Sequence, residues 1–250
     1  MRAGSIDAVI TELDAIIAVS RKRGTAEGYF AALYRRVTAE VQARISRGGF
    51  ENGPRMERFD VIFANRYLDA WTLRERGERI TDSWNEALNC SGHFWPVVLQ
   101  HLLLGMNAHI NLDLGIAAAT VAPGREIHGL KRDFDSINAI LAEMTGDVQD
   151  RLANVWPAMR WLDRGAGGID EAIVNFSIRR ARDHAWAVAL ALAEMDLEDA
   201  RAAHVLRTDA TMAALGRKVR RPGLKLAITL GFIRLRERGS VSEKLDVLLR

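Results

Sequence analysis

Apolar residues recur at helical spacing along almost the whole chain, and this periodicity constrains the fold more than any other feature. The first segment is typical: Val9, Leu13 and Ile16 share one face of the expected helix, and Ser5 is a good N-cap for it. No segment shows the sustained period-two alternation with β-branched residues that strands require. The sequence therefore predicts an all-α fold, a multi-helix bundle.

Helix boundaries follow from caps and from glycine or proline breaks. Helices are expected at about 5–22, 25–47, 54–77, 81–88, 94–122, 128–145, 147–163, 169–196, 198–216, 224–238 and 241–249. The segment 94–122 is the most apolar and is expected to be a long, largely buried central helix. Because no linker rich in Pro, Gly or Ser interrupts residues 1–250, and no internal repeat is evident, one domain is the simplest expectation.

Polar residues interrupt the apolar segment 94–122, so the chain has no run of about 18 apolar residues and a transmembrane span is not expected. The N-terminus lacks a basic region followed by an apolar run, which is the pattern of a signal peptide. We therefore expect a cytoplasmic protein. The single cysteine, Cys90, excludes a disulfide framework and a cysteine-rich zinc module.

The net charge of +3 is too balanced for a dedicated nucleic-acid-binding protein. The charge is unevenly distributed, however: residues 206–250 contain eleven Lys/Arg and four Asp/Glu, a net of +7, which leaves −4 for the rest. This basic helical segment could form an amphipathic surface helix that contacts anionic lipid or a phosphorylated ligand. The favoured alternative is a terminal helix with a solvated basic face. The apolar residues that would dock it are Leu224, Leu226, Ile228, Leu230, Phe232 and Ile233.

Four of the predicted helices place a carboxylate or an imidazole on their apolar face. These residues are Asp60, Asp133, His184 and, on the central helix, the ladder of His101, His109 and Asp113, with Gly105 between the two histidines. An isolated buried carboxylate is very costly unless it is paired, hydrogen-bonded or bound to a metal. We therefore expect these groups to meet in a polar pocket inside the bundle, where a small molecule could bind.

The first functional hypothesis is a small-molecule enzyme. In its metal-dependent form, a divalent zinc, iron, manganese or magnesium ion would be held by His109, Asp113, Asp133, Asp60 and His184. The ion would activate water for hydrolysis or, if it is iron, dioxygen for oxidation.

In the metal-free form, His109 would be the general acid or base, oriented by Asp113 or Asp133. The candidate catalytic residues are His109, Asp113, His101 and Arg66, and no cofactor-binding residues are predicted. The expected partner is a small-molecule ligand, without nucleic acid.

The second hypothesis is a non-catalytic helical module that binds a ligand or another protein. Each buried aspartate would then pair with its own arginine, for which Arg36, Arg66 and Arg180 are candidates, and the buried polar groups would only fix the helix register. A homodimer is compatible with the tryptophan and apolar content, although no sequence feature specifies an interface.

Two stretches resemble a known family: 61–70 (VIFANRYLDA) and the more distinctive 99–114 (LQHLLLGMNAHINLDL). Together with 133–138 (DFDSIN), they are similar to the bacterial family of domains of unknown function numbered 5995, from about the second helix to the 169–196 helix. The resemblance implies a helical protein and provides no activity to transfer. It directs attention to Asp60, Arg66, His101, Asn107, His109, Asn111, Asp113 and Asp133.

Overall fold

The computed structural model describes residues 2–138, 140–141 and 178–250. Within these residues the chain is helical and contains no strand, which confirms the all-α prediction. The helices are α1 (Ile6–Arg23), α2 (Gly28–Ser46), α3 (Gly53–Glu75), α4 (Asp82–Asn89), α5 (Val98–Ala108), α6 (Leu114–Val121), α7 (127–138), α8 (Ile178–Glu194), α9 (Glu198–Arg220), α10 (Leu224–Arg236) and α11 (Val241–Leu249). A π-helical turn, His109–Asp113, joins α5 to α6.

The predicted boundaries agree with the structure to within a few residues in most places. The predicted 241–249 helix is confirmed at both ends, whereas α9 continues four residues beyond the predicted end at 216. The predicted 147–163 helix lies outside the described residues, as do parts of 128–145 and 169–196.

The central helix runs from Val98 to Val121 and includes α5, the π turn and α6. It starts four residues later than predicted. By length and composition it could cross a membrane, with a mean hydropathy of 1.3, but 83% of its most apolar window is buried against other helices. The prediction of a long, largely buried central helix is therefore confirmed.

The two halves of the central helix contact different helices. The α5 half packs against α2, α4 and α9, and the α6 half packs against α3 and α8. Glycines permit the closest approaches: a Cβ at Gly105 would lie 2.5 Å from ring carbons of Phe30, and one at Gly115 would lie 2.8 Å from the carbonyl oxygen of Ala185. The Phe30 ring therefore fills the space that Gly105 leaves between the two histidines of the ladder.

Carboxylates from distant helices bind the backbone amides at the start of three helices. Asp133 accepts hydrogen bonds from the amides just before α3. Asp209 accepts from the first two amides of α4, and Glu237 accepts from the Val98 amide that begins the central helix. Each carboxylate satisfies donors that lack a partner within the helix and lies near the positive end of its dipole. These bonds fix where the helices that carry the site begin.

Candidate functional site

The π turn aligns the predicted ladder of polar residues. In an α-helix a four-residue step overshoots one turn by about 40°, so residues four apart drift around the helix. A π turn contains more residues per turn and offsets this drift between His109 and Asp113. Both side chains are buried, with exposed fractions of 2% and 0%, and they face the same part of the core. Such single π turns occur often at functional sites.

Asp113 lies at the centre of a buried hydrogen-bond network. Its Oδ1 accepts from Arg66 Nε at 2.8 Å, and its Oδ2 accepts from Trp84 Nε1 at 2.7 Å. The same Oδ2 is 3.2 Å from Nδ1 of His109. Burial by itself raises the pKa of Asp113, but Arg66 and His109 outweigh this effect and hold the pKa below its ordinary value. Asp113 is therefore ionised and can only accept hydrogen bonds.

The ionised carboxylate fixes the tautomer of His109. Because Asp113 only accepts, Nδ1 of His109 carries the proton and Nε2 presents its lone pair. Burial lowers the pKa of His109, and the opposing effect of Asp113 is smaller, so the imidazole is neutral at physiological pH. Nε2 is buried and has no hydrogen-bond partner within the described residues. An unpaired acceptor at this depth is costly and is the most unusual feature of the site.

Aromatic rings surround the His109 imidazole. The Phe63 ring stacks on it with centroids 3.7 Å apart, and the Tyr34 ring meets it edge-on at 4.6 Å. The ring centroids of Phe30 and Trp84 lie 5.7 and 5.8 Å from the centroid of the imidazole. These walls come from α2, α3 and α4 and exclude water from the imidazole. They strengthen any electrostatic interaction made at Nε2.

Asp60 is buried, as predicted, and is 7% exposed. Burial raises its pKa to about 7, and its Oδ2 has no hydrogen-bond partner within the described residues. Tyr34 lies within electrostatic reach of both Asp60 and Asp113. Burial and these two carboxylates raise the tyrosine pKa well above its ordinary value, so the hydroxyl stays protonated.

His101 is buried on the same helix, two turns before His109, and lines a cavity of about 20 Å³. Burial, followed by the charges of Arg234 and Lys244, lowers its pKa to about 4. Glu27 lines the same cavity, which has room for about one water molecule. The structure therefore places His101 in a neighbouring cavity, and His109 is not among the residues that line it.

Asp133 is buried, with an exposed fraction of 1%, but its oxygens are already occupied. They accept from the Glu51 amide at 2.6 Å, the Asn52 amide at 3.1 Å and Arg55 Nη2 at 3.0 Å. The structure thus does not bring Asp133 to His109, and its role is to anchor the start of α3. The burial of Asp133 was correctly predicted from its apolar stripe. The amides that bind it lie in the turn before α3, where helical periodicity makes no prediction.

The expectation that His184 faces the interior is wrong, because this side chain is exposed. The buried face of α8 is centred on Ala185, Val188 and Leu192, and His184 lies at its edge. Partial burial and the nearby His204 lower its pKa. His184 therefore cannot share a core site with His109.

The five predicted metal ligands do not form one cluster in the structure. Among residues 2–138, 140–141 and 178–250, no three His, Cys, Asp or Glu side chains are grouped as metal ligands. Only His109 and Asp113 are in direct contact. Arg66, a predicted catalytic residue, is instead the ion-pair partner of Asp113, an outcome that the non-catalytic alternative had anticipated.

Of the two asparagines singled out by the family resemblance, Asn107 binds α9, whereas Asn111 binds Asn107 within the central helix. Asn107 donates to the carbonyl oxygen of Met212 at 2.8 Å, and Asn111 donates to Asn107 at 3.2 Å. Phe30, Tyr34 and Phe63, which contact His109, are not among the predicted site residues, because a ring on an apolar stripe has the same pattern whether it packs a core or a site. The Trp84 bond to Asp113 likewise left no signal in the sequence.

Comparison with known proteins agrees with the resemblance noted in the sequence. No curated protein and no solved structure matches the chain. The sequence profile of a family of unknown function, DUF5995, matches residues 6–222, which is most of the chain and includes α1 to α9. The chain therefore belongs to the DUF5995 family of unknown function.

Proposed function

We propose that this protein is an enzyme that acts on a small molecule, with His109 as general base and Asp113 as its positioning residue. The observation that carries the proposal is the buried Nε2 of His109, which lacks a partner while Nδ1 is bonded to an ionised carboxylate. A lone pair fixed in this way accepts a proton from a substrate or from water. The Asp113 carboxylate stabilises the imidazolium that then forms.

The surrounding groups suit a neutral, partly apolar substrate. The Phe63 and Tyr34 rings offer apolar surface next to the His109 imidazole, and the lowered pKa of His109 keeps the imidazole in its basic form. Hydrolysis of a small ester or amide is the simplest reaction of this kind, because it needs no co-reactant other than water. The tyrosine hydroxyl, which stays protonated, would be available to donate a hydrogen bond to the substrate.

Substrate would reach His109 from the outer side of α3. Phe63, which covers the imidazole, is only partly buried, and about 32% of the Arg66 side chain is exposed. Phe63 would have to move outward to admit a ligand, while Arg66, one turn further along, stays paired with Asp113. The side chains of the inner wall, Tyr67 and Trp84, are almost fully buried and would stay in place.

The test is hydrolysis of a panel of p-nitrophenyl acetate, butyrate and octanoate by the full chain. We expect turnover that falls by about 100-fold or more in His109→Gln, the usual contribution of a general base. The matched control is His184→Gln, which removes an exposed histidine and should leave the rate unchanged. Equal rates for wild type and His109→Gln, or no turnover above buffer on any ester, would contradict the proposed hydrolysis.

Metal dependence, with His109, Asp113, Asp133, Asp60 and His184 as the ligands expected from the sequence, stays a prediction, and the same assay tests it. Turnover should be measured after treatment with EDTA and after addition of zinc, iron(II), manganese or magnesium. Loss of activity with EDTA and recovery with one ion would favour the metal-dependent form. Equal activity in all arms would favour the metal-free form.

The non-catalytic module is the second candidate, and one observation favours it. The two most buried carboxylates of the described residues, Asp113 and Asp133, are each paired with an arginine, Arg66 and Arg55 respectively. In that case the network would fix helix register alone. His109→Gln would then change the unfolding midpoint without altering any turnover or ligand binding.

A further inference from the structure

The exposed face of α10 is apolar. Leu224, Ile228, Phe232 and Leu235 are between 54% and 78% exposed and fall on one side of the helix. The opposite face docks the helix through Leu226, Leu230 and Ile233, which pack on Val97. The expectation that six apolar residues dock this segment is therefore wrong for half of them. Leu224, Ile228 and Phe232 face solvent because α10 is apolar on both sides and only one side meets the bundle.

The surroundings of this apolar stripe are strongly basic. Residues 217–238 contain eight Lys/Arg and one acidic residue, Glu237. Arg221 and Lys225 are exposed, whereas Glu237 is buried and bound to Arg234 and Lys244. The exposed charge around the stripe is thus positive.

Two exposed aromatic residues lie beside the same helix. Phe94 and Trp95 are each 62% exposed and contact each other edge-on, with ring centroids 5.5 Å apart. The Arg234 guanidinium on α10 lies over the Phe94 ring at 4.6 Å from its centroid. Aromatic side chains next to Lys and Arg are typical of segments that lie at the boundary between lipid headgroups and acyl chains.

We propose that α10 and the Phe94–Trp95 pair form a docking surface for an anionic lipid bilayer. The apolar stripe would enter the headgroup region, and the flanking cations would contact lipid phosphates. Charge complementarity selects this partner over a second copy of the chain. A two-fold contact through the same patch would place two positive surfaces against each other. The α10 segment also lies beyond the part of the chain that the family profile matches, which ends at 222.

The experiment is co-sedimentation of the full chain with unilamellar vesicles of phosphatidylglycerol and phosphatidylcholine, compared with vesicles of phosphatidylcholine alone. We expect binding to the anionic vesicles only. Binding should decrease as salt approaches about 1 M, where the screening length falls to about 3 Å. It should also shift Trp95 emission to shorter wavelength, measured as the difference between wild type and Trp95→Phe.

Two double variants test the two components of the surface. Leu224→Gln with Phe232→Gln should weaken binding by about tenfold or more, because both apolar side chains lose their insertion. Arg221→Glu with Lys225→Glu should weaken it similarly through repulsion. The matched controls are Leu197→Gln with Leu206→Gln, which removes two exposed leucines from α9 and its start, and Lys22→Glu with Arg47→Glu. Both controls should bind as wild type does.

Circular dichroism of each variant shows whether it is folded, and because all substituted residues are exposed, we expect native spectra. Equal binding to neutral and anionic vesicles, or unchanged binding by both the Leu224→Gln/Phe232→Gln and the Arg221→Glu/Lys225→Glu variants, would overturn the proposal. A third result would also overturn it. If sedimentation velocity shows that wild type is a dimer and that the Leu224→Gln/Phe232→Gln variant is a monomer, the apolar stripe is a contact between copies of the chain.

Discussion

Replacing Asp60 by asparagine should raise the stability of the protein relative to wild type as the pH rises from 5 to 8. Burial raises the pKa of Asp60 from its ordinary 3.8 to about 7. Between these two values the folded state holds a proton on Asp60 that the unfolded state has lost. Stability contributed by this group therefore falls as pH rises through this window and is constant above it. Asparagine has nearly the same shape and does not titrate.

The size of the effect follows from the pKa difference. Each pH unit inside the window removes about 1.4 kcal/mol, so about 3 kcal/mol is lost between pH 5 and pH 7. The free energy of unfolding of Asp60→Asn minus that of wild type should thus be about 3 kcal/mol larger at pH 8 than at pH 5. The cost of burying the amide is present at both pH values and cancels in this comparison.

Urea unfolding followed by circular dichroism at pH 5 and pH 8 measures this difference. With a urea dependence of about 2 kcal/mol/M, the midpoint difference between the two proteins should change by about 1.5 M. Asp133→Asn is the matched control: Asp133 accepts two amide bonds and pairs with Arg55, so this variant should be less stable than wild type at pH 8. If the difference between Asp60→Asn and wild type does not change with pH, the burial argument for Asp60 is refuted.

Three further outcomes are expected. Gly105→Ala should lower stability by about 1–3 kcal/mol in thermal unfolding, because its Cβ would lie 2.5 Å from the Phe30 ring, whereas Gly231→Ala, with nothing within 4 Å, should be neutral or stabilising. Trp84→Phe should cost about 1–3 kcal/mol in urea unfolding, since Asp113 loses a buried donor, and an unchanged midpoint would show that this bond contributes nothing. The His109 ring signals should not titrate in NMR spectra between pH 6.5 and 8, because burial lowers its pKa, while a midpoint above 6.5 would contradict the neutral tautomer.

The helical fold and the buried carboxylates could be predicted because both follow from periodicity along single helices. Asp60, Asp113 and Asp133 are all buried, as their apolar neighbours indicated. His184 is exposed because it lies at the edge of the buried face of α8, which is centred on Ala185, Val188 and Leu192. Periodicity places a residue on a face but does not fix how much of that face is covered.

The partners of the buried groups could not be predicted, because they depend on how helices meet. Asp113 is bonded to residues from α3 and α4, and Asp133 to amides in the turn before α3. Arg66, one of the three candidate arginines, pairs with Asp113, but Arg55, the partner of Asp133, is not among those candidates. The exposed half of α10 shows the same limit, since its two apolar sides are equivalent until the bundle covers one of them.

The hydrogen bonds from carboxylates to the first amides of the helices determine which fragments of the chain can keep the site intact. Glu237, which binds the Val98 amide, lies fifteen residues beyond the end of the matched family profile at 222. A fragment trimmed to the profile would leave the start of the central helix without its acceptor, and would expose Val97, which α10 covers. A fragment intended to preserve the His109 region should therefore extend through α11, whose Lys244 holds Glu237 in position.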